Sequence, residues 1–239
     1  MLVKHYKEIA IIMAALALLL LTFGCGKANE QTAKPLFVTE PVVYGQIEIT
    51  DEIRGEICDL ARKQRWDFLP WFDLGETPTD GVAYFRWAQC QAQVWAGFDD
   101  IDWELTPKTL SKEYLRDLIR KHFAVDVEMP SEPGYVNDDV SFDGENIIVQ
   151  VGGWANPPDY ELVDFSVEEL DGKAIYMAGL LEYRHIDGRL APIERDTLVL
   201  SDADKSGIVP FRWQKVQFYV NEDDNEIVFV SCVGGYVDE

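Results

Sequence analysis

The chain has 239 residues, enough for one domain of ordinary size, and 47% of them are hydrophobic, which excludes wholesale disorder. Acids outnumber bases by 43 to 21, for a net charge of -22. A surface of that sign repels phosphate backbones, anionic lipids and anionic cell-wall polymers, so it argues against nucleic-acid binding and suits an extracellular protein that must stay soluble.

At the N-terminus, Lys4, His5 and Lys7 precede an apolar run from Ile9 to Phe23. A basic start followed by such a run is the pattern of a secretory signal, and the run is too short and too abruptly ended for a membrane span. It closes on Leu21-Thr22-Phe23-Gly24-Cys25, which resembles the lipobox of bacterial lipoproteins. The resemblance implies that residues 1–24 are a removed signal peptide. It also implies that Cys25 becomes the first mature residue, carries a lipid, and anchors the protein to a membrane of the bacterial cell envelope, outside the cytoplasm. The lipid then supplies the attachment, and the folded part need not touch the bilayer. Residues 26–43 contain Lys, Ala, Asn, Gln, Thr and two prolines, and 25–45 reads as a flexible tether. That leaves 46–239 as a single domain, helical over about 50–125 and sheet over about 138–235.

Thr50 before Asp51 and Glu52 reads as a helix start, with an oxygen cap and acids against the positive end of the dipole. Ile53, Ile57, Leu60 and Ala61 mark its apolar face. The following segment holds Trp66, Phe68, Trp71 and Phe72, interrupted by Pro70. Such a cluster packs under the domain or lines a groove, and packing is the simpler outcome. A second helix is expected from near Thr79 to Trp95, apolar on more than one side and therefore sandwiched. Cys58 and Cys90 fall on these two helices and could form a disulfide in an oxidising compartment; otherwise they and Cys232 are buried thiols. Asp99, Asp100, Asp102 and Glu104 form an acidic linker without the ligand spacing of a calcium loop. A third helix can be opened by Thr106-Pro107 or by Ser111. His122 sits on or beside its apolar face, with Leu115, Leu118, Ile119 and Phe123.

The rest reads as antiparallel strands. Asp143-Gly144, Asp171-Gly172 and Asp187-Gly188 each separate apolar or alternating runs, the strongest short-range hairpin signal. A short hairpin is expected on either side of Asp143-Gly144, then strands near 160–169, 173–184, 192–200, 210–220 and 226–233. In the first of these, Val163, Phe165 and Val167 should share one face. The central strands are apolar on both faces, so one face covers the helices and the other is left for a shallow cavity or an interface. Helices followed by an antiparallel meander make an α+β domain with helices on one face of a curved sheet. This element order resembles the cone-shaped NTF2-like or cystatin-like superfamily over residues 50–239, a layout that hosts enzymes, ligand binders and accessory domains alike.

Chemistry is harder to find. There is no HExxH, paired-His zinc spacing, G-x-S-x-G elbow or phosphate-binding glycine loop. No cofactor is implied. Asp202, Asp204 and Ser206 followed by Gly207 resemble the first half of a calcium loop, but Trp213 stands where the bidentate Glu belongs, so a polar turn is the better reading. Tyr183, Arg195, Lys215 and Gln217 interrupt apolar strand runs. With Trp213 and the aromatic segment they are the candidate pocket or interface residues. The leading expectation is a non-catalytic lipoprotein that binds a protein or small ligand. The alternatives are a cone-fold enzyme acting on a small molecule or glycan, which needs a carboxyl of shifted pKa in its pocket, and a homodimer that buries the second sheet face.

Overall fold

The computed structural model describes residues 34–39, 41–72, 81–95, 108–131, 140–149, 158–185 and 208–237. Cys25 and the signal segment, Asp99–Glu104, the Asp187-Gly188 turn, the strand expected over 192–200, Arg195, and Asp202, Asp204 and Ser206 lie outside them. From the N-terminal side come a two-residue strand β1 (Gly45–Gln46), helix α1 (Asp51–Lys63), one 3-10 turn (Trp66–Phe68) and α2 (Gly81–Trp95). Strand β2 (Lys108–Ser111), helix α3 (Lys112–Phe123) and the short strands β3 (Val140–Asp143) and β4 (Asn146–Val149) follow. The long strands β5 (Asp159–Leu170), β6 (Lys173–His185), β7 (Ile208–Val220) and β8 (Ile227–Tyr236) complete the order. The class is α+β, with two antiparallel sheets, β1-β5-β6-β7-β8 and β2-β4-β3.

Local chemistry explains the elements. Thr50 Oγ1 accepts from the Ile53 amide at 3.2 Å, and Asp51 and Glu52 face the positive helix end while Arg62 and Lys63 sit at the other. Ser111, not Thr106, caps α3: its Oγ accepts from the Tyr114 amide at 3.1 Å. Lys108–Ser111 form β2, an unexpected strand that pairs with β4 and places the short hairpin in its own sheet. Asp171 and Gly172 both take positive φ, 52° and 76°, the backbone that a tight two-residue hairpin demands.

Cross-strand rows build the core. Tyr160, Glu182 and Arg212 lie side by side on β5, β6 and β7; Leu162, Leu180 and Gln214 form the next row. Phe165, Ala178, Val216 and Cys232 form a third row across β5–β8, and Val167, Tyr176, Phe218 and Phe229 a fourth. These faces meet Ile57 and Ala61 of α1, Trp87 and Ala88 of α2, and Leu115 and Ile119 of α3. Helix α2 is sandwiched as its composition requires, with Trp87 edge-on to Phe123 and Phe229, and Phe85 edge-on to Phe142 of β3.

Three expectations change. Val163 does not share a face with Phe165 and Val167: it is 51% exposed, because a bulge between Leu162 and Asp164 inserts one extra residue and shifts the alternation. The compact unit begins at Lys34, well before residue 46. Phe37 is buried, with its ring edge-on to Phe165, Tyr176 and Phe218, and the Leu36 amide donates to Glu56 Oε1. Burial of this aromatic ring, with Val38 and Val42 packed against the same core, holds the segment to the domain. Finally, Cys58 and Cys90 are free, as is Cys232, and all three are buried. The Cys58 thiol donates to the Tyr160 carbonyl at 3.4 Å, while Cys90 is set among the charges of Arg65, Asp67 and Arg86.

Candidate functional site

The two faces of the five-stranded sheet differ sharply. The main apolar core uses one face, with all three helices on it. The second face carries its own rows: Glu161–Leu181–Trp213–Gly235, Asp164–Gly179–Lys215–Val233 and Ser166–Met177–Gln217–Ser231. None of the apolar members of these rows belongs to the main core. Trp213 is 43% exposed, and its indole leans over Gly235, where a Cβ would come within 3.0 Å of Nε1. Gly179 likewise leaves room for Asp164, whose Cβ would lie 2.9 Å from a Cβ on the glycine. Gln217 spans two strands: its Oε1 accepts from Ser231 Oγ, and its Nε2 lies 4.0 Å from the Met177 sulfur. Tyr183 and Ile208 make a small separate cluster at one end of this face, with Leu181 against them.

The sequence candidates therefore divide. Trp213, Lys215 and Gln217 stand in line on the second face, at alternate positions of β7. Tyr183 is buried at the end of the same face, and its hydroxyl donates to Glu161. The aromatic segment scatters instead. Trp66 is core, edge-on to Phe218 and Phe229. Phe68 is half-buried under the guanidinium groups of Arg65 and Arg86, 4.7 and 5.0 Å from its ring centre. Phe72 pairs with Cys232 through two backbone hydrogen bonds, and only Trp71 is exposed, at 46%, with its ring 6.1 Å from that of Tyr236.

Under the helices lies a second arrangement that the alternation alone did not announce. Arg212 donates from Nε and Nη2 to Glu182 Oε2, and from Nη2 to the Asp67 carbonyl. Arg65 pairs with Asp67 at 2.7 Å. Arg65 holds a left-handed backbone with φ of 48°, an uncommon conformation for a side-chain-bearing residue that costs on the order of 1–3 kcal/mol. Burial pushes the Glu182 carboxyl up from its ordinary range, against the opposing pull of Arg212. Burial also drives the Tyr160 hydroxyl well above its ordinary value, with Asp67 and Glu182 adding to the effect. The Tyr160 hydroxyl and both ends of the Gln214 amide are buried without hydrogen-bond partners. The signal for this cluster was present but faint: Glu182 and Arg212 occupy the same strand parity as Leu180 and Val216.

No family model, curated protein or solved structure matches this chain. The site must therefore be read from its own chemistry. Among the described residues, no group of three His, Cys, Asp or Glu side chains is placed to hold a metal ion, and no helix is long and apolar enough to cross a membrane. Glu182 has the raised pKa that a buried general acid or base would need, but Arg212 occupies it. The buried His122 ring contacts the Ile227 carbonyl through Nδ1 at 2.8 Å, so that nitrogen carries the proton. This pins α3 to β8. The second face, by contrast, presents an aromatic plate, a cation, an amide and a row of carboxylates on a rigid strand scaffold.

Proposed function

We propose that the chain is a lipoprotein of the bacterial cell envelope, held to its membrane through a lipid on Cys25, whose cone-like α+β domain binds a partner protein and performs no chemistry on it. The second face of the sheet is the binding surface. One observation carries this reading: the helices cover one sheet face, while the other retains Trp213 at 43% exposure among Met177, Leu181, Lys215 and Gln217. An exposed aromatic residue centred in a mixed apolar and polar patch is the usual anatomy of a protein-binding site. The enzyme reading has less support, because the buried carboxyl with a shifted pKa is consumed by its arginine.

Two measurements test the two halves. Mass spectrometry of the mature protein should find an acylated Cys25 at the N-terminus, and Cys25→Ser should release the chain from membranes. A photo-crosslinking residue at position 213 should trap a defined partner in intact cells, and the adduct should disappear when Leu181→Asp is added. The same residue at Glu145, in the turn between β3 and β4, should trap none. Equal adducts from both positions would remove the second face from consideration.

A further inference from the structure

The chemistry of this face also points to the class of partner, an inference that rests on the binding reading above. Three stripes run along it. The β5 stripe carries Glu161, Asp164 and Glu168. The β6 stripe carries Lys173, Ile175, Met177, Gly179, Leu181 and Tyr183: an apolar run between a lysine, whose ammonium lies 4.0 Å from the Tyr219 ring centre, and a tyrosine hydroxyl. The β7 stripe carries Trp213, Lys215 and Gln217. Asp164 accepts from the Gln46 amide at 2.6 Å and forms no ion pair among the described residues; Glu168 is exposed and forms none either. Acid therefore lies along one side of an apolar run, Lys215 stands across it, and Lys173 closes one end over Tyr219.

We propose that this face takes a cationic amphipathic segment of a partner protein, with its apolar side on Met177, Leu181 and Trp213 and its basic side toward Asp164 and Glu168. Charge complementarity chooses this occupant. A second copy of the chain would bring a surface of net charge -22 against its equal, and like charges set face to face cost affinity. An anionic membrane is repelled for the same reason. The dimensions also fit. The partly exposed stretch from Met177 to Leu181 spans about 13 Å at roughly 3.3 Å per strand residue, and a helix of about 18 residues covers it and extends over the buried Ile175 and Tyr183 at its ends. Lys215 sets the polarity, because it disfavours a segment laid with its basic side toward β7.

The test uses the lipid-free chain and two synthetic helical peptides of about 18 residues and equal apolar content, one built on Lys and Leu and one on Glu and Leu. Titration calorimetry at low and moderate salt reads the affinities. The lysine peptide should bind at least tenfold tighter than the glutamate peptide, and less tightly as salt rises. Asp164→Asn with Glu168→Gln should weaken it about three- to tenfold, in keeping with modest, partly exposed charge pairs. Lys215→Glu should tighten it about threefold, a gain that a damaged fold cannot produce. Glu52→Gln with Asp223→Asn removes the same charge from other exposed surfaces and should change little. Equal weakening by that control pair would reduce the effect to net charge and overturn the proposal. So would a lack of gain from Lys215→Glu. Equal binding of both peptides, lost on Trp213→Ala, would keep the face as a binding surface and sink only the cationic class. Insensitivity of both to Trp213→Ala would sink the face as well.

Discussion

Replacing Phe37 with alanine should cost the domain about 3–5 kcal/mol, the usual range for emptying a buried aromatic site. The structure supports that size. The ring is 4% exposed and meets Phe165, Tyr176 and Phe218 at centroid distances of 5.7, 5.2 and 6.0 Å, all edge-on. An aromatic side chain buries at least about 150 Å², worth roughly 4 kcal/mol at about 25 cal/mol per Å², and edge-on pairs add to that. The three partners sit on β5, β6 and β7, so collapse around the void would require three strands to move together. Urea unfolding of the lipid-free chain, followed by tryptophan fluorescence, reads the loss as a lower midpoint at unchanged slope. The exposed neighbour Leu36→Ala is the reference and should stay within about 0.5 kcal/mol. A Phe37→Ala loss below about 1 kcal/mol would show that the segment is only a tether, and that the domain boundary belongs near residue 46.

Other outcomes follow from the buried polar groups. Arg212→Met strands Glu182 and should cost about 3–5 kcal/mol, while the Glu182→Leu, Arg212→Met pair should recover more than half of it in a double-mutant cycle. Because the folded carboxyl titrates above its unfolded value, its contribution is present below the unfolded pKa and lost as pH rises through the folded one. The single variant should therefore show a smaller deficit near pH 4 than at pH 7. Burial holds the folded His122 pKa down, so its contribution is present above the unfolded value and lost as pH falls. Melting temperature should decline below about pH 6.5, less steeply in His122→Gln. The Cys90 and Cys232 thiols are pushed up to about 12 by burial, so iodoacetamide at pH 8 should leave them and buried Cys58 unmodified until urea is added. A Cys58–Cys90 cross-linked peptide from the native protein would contradict the structure.

Signals confined to a few neighbouring residues were legible. Thr50 with Asp51 and Glu52, and Asp171-Gly172 between alternating runs, each state their backbone locally, and the structure agrees. The placement of Trp213, Lys215 and Gln217 on one face also follows from parity alone. What failed depended on distant partners. Nothing near Phe37 says that three rings wait for it. Lys108–Ser111 becomes a strand because β4 offers it a ladder, which no local propensity records. The bulge at Val163 breaks the two-residue period in mid-strand, so counting from Phe165 backward gave the wrong face for Val163. The Glu182–Arg212 pair needs two strands brought into register before either residue reveals its neighbour.

The three unbridged cysteines have a consequence for how the protein is made. In the finished fold they are sealed, and a protonated thiol does not exchange. In the nascent chain they are ordinary thiols, and three of them can join in three ways, none of which the native structure contains. If export delivers the chain to an oxidising compartment, every early cross-link is a wrong turn that must be reduced before β5 to β8 can pair. Docking the helices onto that sheet joins residues far apart in sequence, as where Cys58 meets Tyr160, and so comes slowly. The yield of protein would then be set by a race between sheet assembly and oxidation. A serine at any one of the three positions would trade native packing for fewer dead ends on the way there.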